Sequence, residues 1–283
     1  MYKEGKEEMI YYEIAEGLGN IIQSTPAFNY LKKKEEKITI VCHEKFQAMA
    51  RVVYAGKAEI VAMKKKGIPI VKSIMVDGYK PECGKSEVAM NLIQAGCYNP
   101  KAEDKTGFCS YRESKEKYDI LLCDGYNKNC SIEKAWQVKS YLHWEKLAER
   151  LKKEYKVASI GLKEEYIEGT QDETGIGIEN TLGLIRNCKL LVSNDTGFYH
   201  AANVFGIKNV VIFTMTDRVK NYDPDFHRYT KIVIKGIECQ PCQFKKTEEM
   251  KKNYWLSQKS HCGWACRDIE PGIIYDKIKE TMG

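Results

Sequence analysis

An apolar run in the C-terminal half of the chain ends in residues suited to binding an anion. Residues 189–193 are followed by Asp195, Thr196 and Gly197, with His200 in the next turn. Glycine lets a ligand approach the backbone closely, and the free N–H groups and positive dipole end of a following helix favour an anion such as a diphosphate. His200 could donate to a phosphate oxygen. An ordinary N-cap with a histidine on the helix surface is the alternative interpretation.

Four cysteines near the C-terminus are spaced like metal ligands. Cys239 and Cys242 form one close pair, and Cys262 and Cys266 form a second pair after a loop. Two such pairs can build a tetrahedral thiolate site, in which His261 could replace one thiolate. Because four protein ligands leave no open position, the site would hold structural zinc or iron. Four buried cysteines without a metal are the alternative.

The composition indicates a globular protein. The chain has 283 residues, of which 43% are hydrophobic and 30% charged, enough for two compact domains. No apolar run could cross a membrane, and the N-terminal segment is acidic where a signal peptide needs an apolar core, so we expect a cytoplasmic protein. The eleven cysteines then favour thiols or metal ligands over disulfides. The charge of +6 is spread out, which suits a small phosphate-bearing ligand better than nucleic acid.

Strand and helix patterns alternate along the chain, which predicts parallel α/β units. The predicted strands are 9–15, 37–42, 58–63, 118–125, 156–162, 189–193 and 209–215. The predicted helices are 21–34, 44–56, 85–96, 143–155, 178–188, 196–206 and 271–283. The loop after residue 193 would therefore lie at the carboxyl end of a sheet, where open α/β folds bind ligands.

Two glycine-containing turns carry a family resemblance. The segments AEGLGNIIQSTPAFNYL (15–31) and SNDTGFYHAANVFGI (193–207) resemble, in order and spacing, the two signature loops of glycosyltransferase family 9, heptosyltransferase-like enzymes of the GT-B fold. The segments at 134–165 and 209–217 are also similar to this family. The resemblance implies two Rossmann-like parallel-sheet domains facing a cleft, to which this chain adds a C-terminal four-cysteine metal finger.

The resemblance also implies a chemistry. Family members move a sugar, often a heptose, from a nucleotide diphosphate donor, here an ADP-sugar by preference, to a hydroxyl acceptor with inversion. A base must take the acceptor proton, and an anion site must stabilise the departing diphosphate. The residues that the resemblance places at the donor are Gly17, Gly19, Gly125, Lys134, Lys139, Glu164, Asp195, Thr196, Gly197 and His200.

Individual roles follow from this correspondence. Lys134 or Lys139 would supply a cation to the diphosphate, and Gly125 would lie beneath the same phosphates. Glu164 or Glu165 could accept hydrogen bonds from the ribose hydroxyls. The alternative interpretation is that these lysines and glutamates lie on a solvated surface and do not contact the donor.

One residue departs from the family pattern. Family members commonly carry aspartate after the first glycine turn, as the base or its support, and this chain has Asn20. A neutral amide cannot take up a proton as a carboxylate can. We therefore expect Glu16, with Glu13 and Asp77 as alternatives, to act as the base. A chain that had lost transfer and kept nucleotide-sugar binding would show the same substitution.

The same patterns divide the chain. We predict an acceptor-side domain over 1–117, including a polar linker at 99–117. A nucleotide-sugar-binding domain would follow over 118–268, with the cysteine finger at 239–266, and a C-terminal helix over 269–283.

The sequence does not identify the acceptor or the other partners. A glycan, a lipid-linked sugar or a protein could serve as the acceptor. A lipid-linked acceptor would bring the protein to a membrane surface as a peripheral protein. The oligomeric state is undetermined. A similar four-cysteine finger holds iron in some autotransporter-modifying heptosyltransferases. A zinc-ribbon module that binds nucleic acid or protein is the competing hypothesis, although it leaves both glycine turns unexplained.

Overall fold

The computed structural model describes residues 9–14, 17–34, 37–62, 72–73, 83–125, 137–243 and 263–283. Predictions that fall outside these residues are those for Glu16, Asp77, Lys134, His261 and Cys262. Residues 9–105 are called the N-terminal part below, and residues 118–283 the C-terminal part.

A parallel sheet forms the centre of the N-terminal part. Its described strands are β1 (Met9–Ile14), β2 (Lys37–Cys42), β3 (Glu59–Ala62) and β4 (Lys72–Ser73), in the order β3-β2-β1-β4. The register aligns Met9 with Lys37 and Ile14 with Cys42. Residues 38–42 of β2 are all buried, as expected for a parallel strand covered on both faces.

The first predicted helix is interrupted. The described helices of this part are α1 (Leu18–Gln23), α2 (Thr25–Lys32), α3 (Gln47–Val53) and α4 (Glu87–Gln94). A single helix over 21–34 was therefore wrong, because α1 and α2 meet at Ser24. Pro26 has no N–H for the carbonyl of Ile22, which instead accepts the hydroxyl of Thr25 at 2.7 Å.

A second parallel sheet forms the C-terminal part. Its strands are β5 (Ile120–Cys123), β6 (Val157–Gly161), β7 (Gln171–Thr174), β8 (Leu190–Asn194), β9 (Lys208–Phe213) and β10 (Thr230–Ile234), in the order β10-β9-β8-β5-β6-β7. The chain runs outward from β5 to β6 and β7, and then returns to place β8 on the other side of β5. Open α/β sheets bind ligands at such a switch point, beyond the carboxyl ends of the strands.

Helices cover both faces of the second sheet. They are α5 (Trp144–Leu151), α6 (Ile178–Asn187), α7 (Gly197–Val204), α8 (Arg218–Asn221) and α9 (Pro271–Met282). Trp144 of α5 and Ile274 of α9 share one core, whereas Leu184 of α6 and Tyr199 of α7 share another. The α/β class predicted from the sequence is thus confirmed. No helix among the described residues combines the length and hydropathy needed to span a bilayer.

The segment predicted as a polar linker packs against both parts. The backbone N–H of Phe108 donates to the Thr25 hydroxyl at 3.1 Å, and the N–H of Arg112 donates to the Glu179 carbonyl at 3.2 Å. A Cβ on Gly107 would lie 2.7 Å from the ring of Phe226, so this position has room only for glycine. The division of the chain into domains at residue 117 remains a prediction.

Candidate functional site

The loop between β8 and α7 brings the two glycine turns together. Thr196 is the N-cap of α7, and its hydroxyl accepts the N–H of Phe198 at 3.3 Å. A Cβ on Gly197 would lie 2.8 Å from the Leu18 Cβ and 2.9 Å from the Gly19 nitrogen. The start of α7 therefore lies directly against the start of α1, at the carboxyl end of the second sheet.

His200 completes this contact from the second turn. Its side chain is only 2% exposed, so the helix-surface interpretation was wrong. A Cβ on Gly19 would lie 3.1 Å from Cδ2 and 3.3 Å from Nε2 of the ring. Burial, then the neighbouring His227 and Lys139, lowers the pKa of His200 well below its usual range, so the ring is neutral at physiological pH. Gly17 caps α1, and Asn20 lies half-buried in its first turn.

Asp124 and Gly125 directly follow the neighbouring strand β5. Gly125 adopts a positive φ of 56°, and a Cβ there would lie 2.2 Å from Cγ2 of Thr196. The Asp124 carboxylate accepts the indole N–H of Trp144 at 2.6 Å and the side-chain N–H of Asn194 at 2.7 Å. Burial nevertheless raises the pKa of Asp124 to about 6. The backbone of β5 is thus fixed against the loop after β8.

Lys139 supplies the positive charge at this edge. It ends a 3-10 turn (Gln137–Lys139), and its carbonyl accepts the Thr214 hydroxyl at 2.9 Å. Burial lowers the pKa of Lys139, while Asp195 and Asp124 act in the opposite direction. Lys139 is half-buried, and the neighbouring carboxylates favour its charged form, which makes it a candidate cation for an incoming anion.

Asp195 lies between this cation and a second one. Its buried carboxylate accepts the side-chain N–H of Asn221 at 2.9 Å. Burial raises the pKa of Asp195, and Lys139 and then Lys220 oppose that rise. Lys220 also lies 3.6 Å from the buried Glu87 of α4. Alternating charges therefore connect the N-terminal part to the loop after β8.

The two glutamates considered for the ribose differ in exposure. Glu165 is buried, and its carboxylate accepts the N–H of Leu162 at 3.0 Å, closing its own 3-10 turn (Lys163–Glu165). Glu164 is exposed after β6. Of the two, Glu164 is the side chain that solvent and ligands can reach.

Three of the four predicted metal ligands are described. Cys239 and Cys242 pack with Trp264 in one apolar cluster, and Cys266 is fully buried. Within the described residues no group of three or more side chains is placed to hold a metal ion. With Cys262 outside those residues, the metal finger stays a prediction, and no part of the chemistry below depends on it.

A cavity of about 640 Å³ lies between α4 and α8. Lys85, Lys105 and Arg218 line it together with Tyr222. Lys105 pairs with Asp223 at 3.0 Å, so one of these three cations is already neutralised. The wall formed by α8 also carries Asn221, which contacts the carboxylate of Asp195.

Sequence reasoning missed several residues near the carboxyl ends of β5 and β8. Asp124 follows β5 and Asn194 ends β8, and a polar residue at a strand end was an available signal. Glu87, Asn221 and His227 had no such signal, because they become neighbours of the loop only through the tertiary fold.

The family of the chain follows from a sequence match. Residues 93–253, more than half of the chain, match glycosyltransferase family 9 (heptosyltransferase). The chain belongs to this family and is a glycosyltransferase of the heptosyltransferase type. No curated protein sequence matches it.

Solved structures share the fold at low sequence identity. Escherichia coli ADP-heptose LPS heptosyltransferase II is 14% identical with a TM-score of 0.64, over 97% of this chain and 98% of that one. The family 9 glycosyltransferase of Veillonella parvula is 14% identical with a TM-score of 0.66, over 99% and 98%. The iron-containing dodecameric glycosyltransferase TibC of enterotoxigenic E. coli is 12% identical with a TM-score of 0.69, over 99% and 77%. TibC has also been solved with ADP-D-β-D-heptose.

Proposed function

We propose that this chain transfers a heptose-like sugar, with inversion, from an ADP-sugar to a hydroxyl group of a glycan, lipid-linked or protein acceptor. The observation that carries the proposal is the contact between the two glycine turns at the switch point of the second sheet, beside the half-buried Lys139. The ADP-sugar ligand of the structural relative TibC supports the choice of donor.

The diphosphate would bind where β5 and β8 end. Gly197 and Gly125 let the α1 turn and Thr196 pack closely around this point, and the start of α7 would offer amide donors with a favourable dipole. Lys139 would compensate the negative charge. A carboxylate repels a phosphate, so Asp195 would act by holding Lys139 rather than by touching the ligand.

The same donors would assist the chemistry. As the sugar–phosphate bond breaks, negative charge grows on the departing diphosphate, and a fixed ammonium and amides stabilise that charge without having to reorganise. The acceptor proton must go to a base. Glu16 remains our proposed base, since Glu13 is buried in β1 and Asn20 cannot take a proton at neutral pH.

The cavity between α4 and α8 is a reasonable place for the acceptor. Arg218 and Val219 of α8 line the cavity, and Asn221 of the same helix contacts Asp195, so one short helix would connect an acceptor there to the donor site. The lysine and arginine side chains favour an acceptor with an anionic group, and Tyr222 could pack against a sugar ring.

A thermal-unfolding panel of nucleoside diphosphates and nucleotide sugars tests this proposal. We expect ADP and ADP-sugars to stabilise the protein by about 2.7 kcal/mol at a hundred times their dissociation constants. UDP and GDP at the same concentrations are the matched controls and should stabilise it less. If no nucleotide changes the unfolding temperature, the proposed donor is wrong.

A further inference from the structure

A second buried histidine lies behind His200, on the side away from the glycine turns. The Nε2 atom of His227 is 2.7 Å from Nδ1 of His200, and His227 is fully buried. Its ring stacks on Tyr199 at 4.9 Å and on Tyr222 at 5.5 Å between centroids. These contacts fix the ring of His227 against that of His200.

The backbone of Asp223 determines which nitrogen of His227 carries the proton. The N–H of Asp223 lies 2.8 Å from Nδ1, and the carbonyl of Asp223 lies 3.1 Å from the same atom. That carbonyl already accepts the backbone N–H of His227 at 2.7 Å, whereas the Asp223 N–H has no other acceptor among the described residues. Nδ1 of His227 is therefore the acceptor, and a neutral ring then carries its proton on Nε2.

The proton position of His200 follows from that of His227. Because Nε2–H of His227 donates to Nδ1 of His200, the neutral His200 ring must carry its own proton on Nε2. That nitrogen faces the position of Gly19, where a Cβ would lie 3.3 Å from it, and the hydrogen bond of His200 to another described side chain is made by Nδ1. The N–H group is thus held at the contact between the two glycine turns.

The turn that carries His227 is anchored to the N-terminal part. The carboxylate of Asp223 accepts the Ser86 hydroxyl at 2.5 Å and pairs with Lys105. It also accepts the backbone N–H of Asp225 at 3.0 Å, which holds the turn in place. The hydrogen-bonded path from Asp223 through His227 to His200 therefore touches the N-terminal part at both ends, Ser86 beside Asp223 and Gly19 beside His200.

We propose that His227 is a positioning residue that holds His200 in the Nε2–H form, so that His200 always presents a donor to the diphosphate of the nucleotide sugar and never a lone pair. This inference rests on the proposed function, because it needs an anion at the contact of the glycine turns. A fixed neutral donor stabilises the leaving diphosphate without the rotation or proton exchange that a free imidazole would need.

Two substitutions of His227 form a matched pair. The amide nitrogen of His227→Gln reaches the position of Nε2 and can still donate to His200. The amide of His227→Asn reaches only the position of Nδ1, so it keeps the bond to Asp223 and loses the donor to His200. Both side chains are neutral amides, and thermal unfolding of each variant checks that it folds.

Nuclear magnetic resonance of the free protein, with 15N-labelled histidine, reads which nitrogen of His200 carries the proton. We expect Nε2–H in the wild type and in His227→Gln between pH 6 and 8, and a shift towards Nδ1–H in His227→Asn. ADP affinity should fall about tenfold in His227→Asn and stay close to the wild-type value in His227→Gln.

Different outcomes would overturn different parts of the account. A proton on Nδ1 of His200 in the wild type, or an unchanged tautomer in His227→Asn, overturns the path through His227. The expected tautomers with equal ADP affinity in all three proteins overturn the role in diphosphate binding. A wild type that does not bind ADP overturns the proposed function instead, and because the tautomer is read without nucleotide, it still tests the role of His227.

Discussion

At the scale of single residues, Asp124 shows burial and hydrogen bonding acting against each other. Burial raises its pKa to about 6, although Ser140, Trp144 and Asn194 all donate to the carboxylate. These donors explain why a carboxylate is retained in a buried position. It ties β5, α5 and β8 together directly beneath the loop that would bind the diphosphate.

The raised pKa of Asp124 makes stability depend on pH. The folded protein holds this proton more tightly than the unfolded chain, so ionisation of Asp124 lowers the unfolding free energy as the pH rises from about 4 to about 6. Asp124→Asn removes this contribution. The unfolding free energy of the wild type minus that of the variant should therefore fall by about 2 kcal/mol across this range. Urea denaturation from pH 4 to 7 measures it, and parallel pH curves would contradict the assignment.

Glu16 is the residue on which the catalytic proposal depends most. We expect Glu16→Gln to lower turnover by about 10²-fold or more while leaving ADP affinity nearly unchanged, because a general base acts on the acceptor proton and not on the nucleotide. Asn20→Asp should be tolerated. Steady-state release of ADP and calorimetry measure the two quantities, and normal turnover by Glu16→Gln would place the base elsewhere.

At the scale of the elements, the starts of α1 and α7 form one structural unit. Their closest approach is at Gly197, where a side chain would collide with Leu18 and with the backbone of Gly19. The two helix starts can meet only while both turns keep glycine.

Gly197→Ala tests this contact. The added methyl group must displace backbone atoms, so we expect the unfolding free energy to fall by about 1–3 kcal/mol and ADP affinity to fall with it. Gly17→Ala is the matched control in the same pair of turns, because a Cβ there would meet nothing within 4 Å. Chemical denaturation compares the two variants, and equal stabilities would show that the turns are not in close contact.

The sequence was informative where an element is regular and buried. β5, β6, β8 and β9 are apolar runs bounded by polar or glycine residues, and all four were predicted. β7 and β10 were missed because they are edge strands with partly exposed faces: QDET has no apolar residue, and TKIVI has an apolar run of only three.

The candidate site was likewise predictable only where a local sequence pattern marks it. The loop after β8 combines a strand end, an N-cap and a glycine within a few residues, so local rules find it. Lys220 and His227 reach the same place from a distant segment, and no local pattern marks them. Contacts of this kind arise only once both sheets have folded.

At the scale of the whole molecule, polar contacts join the two parts beside the site. Ser86 bonds to Asp223, and Glu87 pairs with Lys220. The segment around Gly107 fits between Thr25 and Phe226. If a donor and an acceptor bind between the parts as proposed, their binding would be coupled to the contacts that hold the parts together.

The cysteine finger is tested at the scale of the whole molecule by its metal content. We expect one zinc or iron per chain in protein purified without oxygen, with binding lost in Cys266→Ser. Cys188→Ser is the control, since Cys188 is a buried thiol at the end of α6, outside the finger. Elemental analysis measures the metal. A wild type without stoichiometric metal would rule the finger out.

The central claim is that the diphosphate of an ADP-sugar binds beside Lys139, at the carboxyl ends of β5 and β8. Isothermal titration of ADP into the wild type, Lys139→Gln and Lys146→Gln tests it directly, because Lys146 is an exposed lysine on the nearby α5. We expect Lys139→Gln to weaken ADP binding by about tenfold or more, through loss of a charge-assisted contact, and Lys146→Gln to bind like the wild type. Equal ADP affinity in all three proteins would contradict the claim.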